Sequence, residues 1–287
     1  VSYLLISIVC SVLVSVLLKL MQRRGIDTAQ GITWNYLAAA VLCFVLLDPP
    51  LATLARADAP QGELALLALL LPGIFLALSA SVRAAGIVRT DIAQRMSLVL
   101  SLLAAFLWFG ERVDGLRIAG LVLGVIAIAC LVVRPERGAR SDGWQAWALP
   151  LLVLVGYASV DVLLKRLSAS GTPFAASLQL AFVAAFAVML AVQLLRAWRG
   201  HVALTRAALG SGLLLGVLNF ANILFYVKAH RALPEHPAVV FSMMNIGVVL
   251  LGTLAGVFGF GERLGRLNLL AIPLAIVAIA LIASGMR

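Results

Sequence analysis

Residues 237–285 read PAVVFSMMNIGVVLLGTLAGVFGFGERLGRLNLLAIPLAIVAIALIASG. Two long apolar runs are separated by one short break; the charged residues Glu262 and Arg263 fall in that break, and Arg266 at the very start of the second run. About 20 apolar residues are needed for a helix to cross the hydrocarbon of a bilayer, and each run meets that length. The apolar residues are continuous, not alternating, so a transmembrane β-barrel is excluded and a pair of membrane helices remains.

The rest of the chain repeats this pattern. Hydrophobic residues make up 63% of the 287 residues and charged residues 12%, against about 45–50% and about 25% in soluble domains. With a mean hydropathy of +1.09, the chain is neither a soluble globular protein nor disordered. A hydropathy window predicts ten spans, at 2–22, 29–47, 63–83, 91–109, 114–133, 145–165, 174–195, 206–228, 237–259 and 265–285. The connections are short, so the function must reside in the membrane. The net charge of +10 does not point to nucleic acid, because the basic residues gather at span ends, where they anchor helices. Their excess on one side is confined to the first half and weakly favours both termini outside. Val1 enters an apolar run with no basic segment before it, which does not match a cleaved signal peptide. Cys10, Cys43 and Cys130 lie in apolar runs without metal-ligand spacing and read as small core residues. No metal or cofactor is expected.

The two halves resemble each other. Ser15-Val16-Leu17-Leu18-Lys19 answers Asp161-Val162-Leu163-Leu164-Lys165, and Phe109-Gly110-Glu111-Arg112-Val113 answers Phe260-Gly261-Glu262-Arg263-Leu264. Each landmark holds the same place in its set of five spans. The expected fold is therefore an all-α polytopic membrane protein of two five-helix repeats, 1–140 and 141–287. Five is odd, so the second repeat is inverted, an arrangement used by secondary transporters for alternating access around a midplane site.

Ten spans in two such repeats, each closing its fourth span with Gly-Glu (Gly110-Glu111, Gly261-Glu262), resemble the EamA type of the drug/metabolite transporter superfamily. The resemblance covers nearly the whole chain. It implies export of a small metabolite such as an amino acid, from the cytoplasmic (inner) membrane of a bacterium, by a monomer or homodimer. A flippase or exchanger for phosphorylated or lipid-linked substrates is the second choice. An enzyme is disfavoured: the chain lacks His-Glu-x-x-His and Gly-x-Ser-x-Gly, and His201, His230 and His236 are scattered.

Polar residues inside spans are candidate site residues because a charge at the bilayer centre costs about 2.5–3.5 kcal/mol on insertion scales. Tyr157, Asp161 and Lys165 share one face of the sixth span, answered by Ser11, Ser15 and Lys19 in the first. Asp161 has two open readings, an ion pair with Lys165 or a proton or ammonium site. Asn219, Asn222 and Tyr226 form a stripe on the eighth span suited to a zwitterionic or hydroxylated solute, and Asn245, Trp34 and Asn35 extend the set. Gln94 and Arg95 lie one turn into the fourth span, where an arginine fork can meet a carboxylate or phosphate. Glu111 and Glu262 read as pairing or capping groups. The Gly-x-x-x-Gly motifs at 120–124, 212–216 and 252–256 allow close helix packing, within the monomer in preference to between copies. Pro72-Gly73 and Pro273 are expected to kink or break their helices.

Overall fold

The computed structural model describes residues 2–55, 60–109, 115–132, 144–169, 173–200, 203–233, 237–262 and 264–284. Among the described residues there are ten α-helices. They are α1 (Ser2–Arg23), α2 (Thr28–Leu47), α3 (Gln61–Ala85), α4 (Ile87–Phe109), α5 (Gly115–Val132), α6 (Gln145–Ala169), α7 (Phe174–Trp198), α8 (Arg206–Ala232), α9 (Pro237–Leu254) and α10 (Arg266–Ser284). A 3-10 turn follows α2 at Leu51–Ala55, and a π-helical turn, Ala255–Gly259, extends α9. Helices are the natural outcome, because apolar runs in lipid must satisfy their backbone groups within the segment. Six of the helices, α1, α2, α3, α6, α7 and α8, contain windows long and apolar enough to cross a membrane, and shorter apolar helices lie at Ile118–Ala127, Met243–Gly259 and Leu269–Ile282.

The expected spans agree with these helices to within a few residues, with one consequential difference. α4 begins at Ile87, not at residue 91, and only Gly86 separates it from α3. Gly86 has φ +90, a left-handed conformation that lets the chain turn between two helices without a longer loop. Pro72 and Pro273 do not break their helices, since α3 and α10 run through them. α2 stops at Asp48, whose φ of 42 is left-handed, and Pro49 and Pro50 prevent continuation.

The chain divides into two compact units, each drawing on both halves of the sequence. The first comprises residues 1–16, 77–158 and 221–287, and the second 17–76 and 159–220. In the first, α5 packs along α10, and α4 packs on α5, α9 and α10. Val88, Ile92, Ala93, Met96 and Val99 of α4 pack with Ala127, Leu154, Val249 and the α10 residues Ala271, Ala275, Ile279 and Ile282. A second apolar cluster joins Leu4, Ile8 and Val12 of α1 to Ala229, Val240, Met244 and Val248.

In the second unit α2 packs along α7. Asp27 caps α2, accepting from the Ala29 N–H at 2.8 Å and the Gln30 N–H at 3.2 Å, and it also pairs with Arg196 of α7 at 2.8 Å. The Gln30 amide donates to the Ala203 carbonyl at 3.0 Å and accepts from the Thr205 N–H at 3.2 Å, fixing the chain where it enters α8. Tyr36 packs against Phe75 and Phe182, with ring centroids 6.1 and 6.2 Å away.

All three glycine motifs make close contacts inside the chain. Gly120 lies against Ala278 and Ile282, and Gly124 against Val99. Gly252 and Gly256 face α4 at Asp91 and Val88. In the second unit a methyl group at Gly212 would stand 2.5 Å from the Gly31 carbonyl oxygen, and one at Gly216 the same distance from that of Asn35. Backbone cannot yield as a flexible side chain can, so either substitution must separate α2 from α8. Gly212→Ala and Gly216→Ala should each destabilise the protein by about 1–3 kcal/mol. Gly210→Ala, which meets nothing within 4 Å, should be neutral or slightly stabilising. Thermal unfolding in detergent compares the three.

Candidate functional site

α1 carries Ser7, Ser11 and Ser15 at four-residue intervals, so the hydroxyls line one helix face. Leu5, Val9 and Leu13, between them, are exposed, whereas Ser7 and Ser15 are buried. This is the reverse of a soluble amphipathic helix and the form expected when the solvent is hydrocarbon. The serines meet polar groups from three other helices of the first unit.

On α4, Asp91 and Arg95 are separated by one helical turn and share a face. The Ser15 hydroxyl donates to Asp91 Oδ1 at 2.9 Å. Arg95 donates through Nη2 to Ser11 Oγ at 2.7 Å and through Nη1 to Asn245 Oδ1 on α9 at 3.5 Å. Ser7 Oγ lies 2.9 Å from both the carbonyl oxygen and Oδ1 of Asn222 on α8, and 3.4 Å from Met244 Sδ on α9. Its single proton serves one of these acceptors at a time. Asp91 is 2% exposed, and its second oxygen, Oδ2, is buried without a hydrogen-bond partner among the described residues. That oxygen lies against Gly252 of α9, where any side chain would collide with it.

The start of α4 is held from the far end of the sequence. The Glu262 carboxylate accepts from the Ile87 N–H at 2.7 Å and the Val88 N–H at 3.2 Å, satisfying two of the free amides at a helix N-terminus. This is the capping role expected of Glu262; Glu111 lies outside the described residues. Gly86 leaves the room, since a methyl group there would be 2.7 Å from Glu262 Oε2. The Thr90 hydroxyl donates to the Gly86 carbonyl at 2.7 Å, which makes Ser81, 2.8 Å away, the donor to Thr90. Glu262 follows the π-helical turn, and its own N–H returns to the Gly256 carbonyl at 3.0 Å.

Of the expected site residues, Arg95, Asn245 and Ser15 come together in this cluster, and Asn222 joins α8 to the same serine face. Gln94 is half-buried beside Arg95, with its carbonyl accepting from Ser97 at 2.7 Å. Because α4 starts at Ile87, Arg95 lies two turns into the helix, deeper than expected. The stripe on α8 is divided. Tyr226 packs beside the Leu4, Ile8 and Val12 cluster, while Asn219 belongs to the second unit and donates to Asn35 Oδ1 at 3.3 Å. Trp34 stacks obliquely on Phe186 at 6.4 Å in that unit. Tyr157 is half-buried on α6, and Asp161 is exposed there; the Lys165 side chain lies outside those described. Asp91 was not among the expected residues, although its spacing from Arg95 was visible. Ser7 was legible too, as the first member of the Ser7, Ser11, Ser15 series.

The helices and this centre define a multi-pass integral membrane protein whose buried ionic and amide groups face one another across α1, α4, α8 and α9. The comparisons narrow that class: the chain belongs to the EamA-like transporter family, whose model matches residues 1–133. An uncharacterized protein of Haemophilus influenzae is 41% identical over 281 residues, covering 96% of this chain and 95% of the relative.

Loss of the cap should loosen the start of α4 first. Glu262→Ala should lower stability by about 1 kcal/mol and speed amide exchange at Ile87 and Val88, with little change in α7. Hydrogen-exchange mass spectrometry resolved to peptides from α4 and α7 checks this.

Proposed function

We propose that the chain is a secondary transporter that moves a small metabolite such as an amino acid outward by alternating access. The observation that carries this reading is the Arg95 guanidinium, held at 2.7 Å from Ser11 and 3.5 Å from Asn245 two turns inside α4. A charge in such a place is costly, and membrane proteins retain it chiefly for transport or signalling. A guanidinium offers paired donors to a solute carboxylate. Ser11 and Asn245, which accept from the guanidinium, stand beside the place such a carboxylate would take. Membership of a transporter family supports transport over catalysis.

The proposed framework is two inverted five-helix repeats exchanging conformations about this site, supported by the matched Ser15–Lys19 and Asp161–Lys165 segments and the repeated Gly-Glu. The bacterial inner membrane is the proposed location, consistent with the helical architecture. Phosphorylated or lipid-linked solutes form the second reading, favoured by the same guanidinium because it also matches a phosphate.

Purified protein in liposomes should exchange labelled alanine, leucine or serine against an internal pool of the same amino acid. Arg95→Gln should lower kcat/KM for that exchange at least tenfold, equivalent to about 1.4 kcal/mol. Arg95→Lys, which keeps the charge but loses the fork, should fall between. Exchange of glycerol phosphate but of none of the amino acids would establish the second reading. Undiminished exchange by Arg95→Gln would remove the arginine from substrate binding.

A further inference from the structure

We propose that Asp91 is the residue that takes up and releases the proton coupled to transport; this rests on the transporter reading and names the ion that crosses with the solute. The geometry separates a proton from the other cations that a buried carboxyl could hold. Oδ1 is occupied by the Ser15 hydroxyl at 2.9 Å, and Oδ2 is buried against the Gly252 backbone with no hydrogen-bond partner among the described residues. A metal cation requires several oxygen ligands gathered around it, and both Asp91 oxygens are already engaged, Oδ1 by the Ser15 hydroxyl and Oδ2 against Gly252. A solute ammonium requires space beside the oxygen, and the α9 backbone stands there. A proton requires neither.

The surroundings give the two protonation states different partners. The charged groups acting on Asp91 are Arg95, on the same face of α4, and Glu262, beyond the π-helical turn. The packed stretch of α9, Pro237–Leu254, carries no charged residue, and along α1 the first is Lys19, a turn past Ser15. Ionised, Asp91 balances Arg95 and accepts from Ser15. Protonated, it no longer sets a negative charge beside Arg95, so a solute carboxylate approaching the guanidinium meets less repulsion. Proton uptake at Asp91 therefore favours carboxylate binding at Arg95, and proton loss favours its release. The proton passes from water on one face to the carboxyl and back to water on the other, with no other bond made or broken. Because proton and anionic group bind together, they cross as passengers of one conformational cycle, so a solute running outward down its own gradient carries the proton out with it.

Asp161 is the natural control, because it is exposed on α6. The first measurement uses the proton alone as probe: infrared difference spectra of the lipid-embedded protein across a pH titration. A carboxylic-acid C=O band should appear reversibly as pH falls, be absent from Asp91→Asn and persist in Asp161→Asn. The second uses liposomes and the labelled amino acid that wild type exchanges. Asp91→Asn should lose at least tenfold more of the accumulation driven by a pH gradient than of the exchange, while Asp91→Glu recovers part of the accumulation. Several results overturn the proposal: wild type showing no such band, a band surviving in Asp91→Asn, undiminished driven accumulation in Asp91→Asn, or an equal loss of exchange and driven accumulation. Failure of wild type to exchange any solute, with the Asp91 band present, overturns the transporter reading instead.

Discussion

A bilayer gives a charged side chain no solvent, so a charge buried within its spans must be answered by other polar or charged groups. Asp91 and Arg95 impose that requirement on α4, and much of the first unit is arranged to meet it. Ser15 donates to the aspartate, Ser11 and Asn245 accept from the arginine, and Gly252 keeps its side of α9 bare so that the carboxyl can fit. The three partners come from α1 and α9, which are far apart in sequence. Their convergence is a property of the fold and not of any local motif.

The same economy of space governs the frame around the site. Glycine at 252 and 256 brings α9 against α4, and glycine at 86 lets the Glu262 carboxylate reach the first amides of α4. The helix that carries Asp91 and Arg95 is thereby tied at its start to the π-helical turn at the end of α9. π-turns often occur at functional positions because they interrupt regular backbone pairing. Here the turn ends beside the residue that caps α4, so movement of α9 would be felt at Asp91 and Arg95.

The helices themselves were legible because twenty-residue apolar runs have few alternatives in lipid. The exception is instructive. Arg89 and Asp91 lower the hydropathy of the segment before residue 92, which made α4 look shorter at its start. The helix nevertheless begins at Ile87, since its free amides are met by Glu262, 175 residues away from Ile87. Asp91 consequently read as a boundary residue when it is one of the most buried charged groups. Asp161 read as an acid within its span because of its apolar neighbours and its place in the repeat; it lies within α6, with an exposed side chain. Asn35 and Asn219 were each visible as polar residues in spans, but their hydrogen bond to one another depends on the close approach of α2 and α8 at Gly212 and Gly216. Periodicity identifies the face of a helix; it does not identify the partner.

The central claim is that the serine face of α1, with Arg95 and Asn245, is the path of a transported solute. It is tested most directly by the reactivity of a cysteine at Ser11. Cys10, Cys43 and Cys130 are first replaced by alanine, so that Ser11→Cys is the sole thiol. A membrane-impermeant thiol reagent applied to reconstituted protein should modify that cysteine, and saturating alanine, leucine or serine, whichever is exchanged, should slow modification at least fivefold. A cysteine that never reacts from either face of the membrane, or that reacts at the same rate with the solute present, would contradict the account.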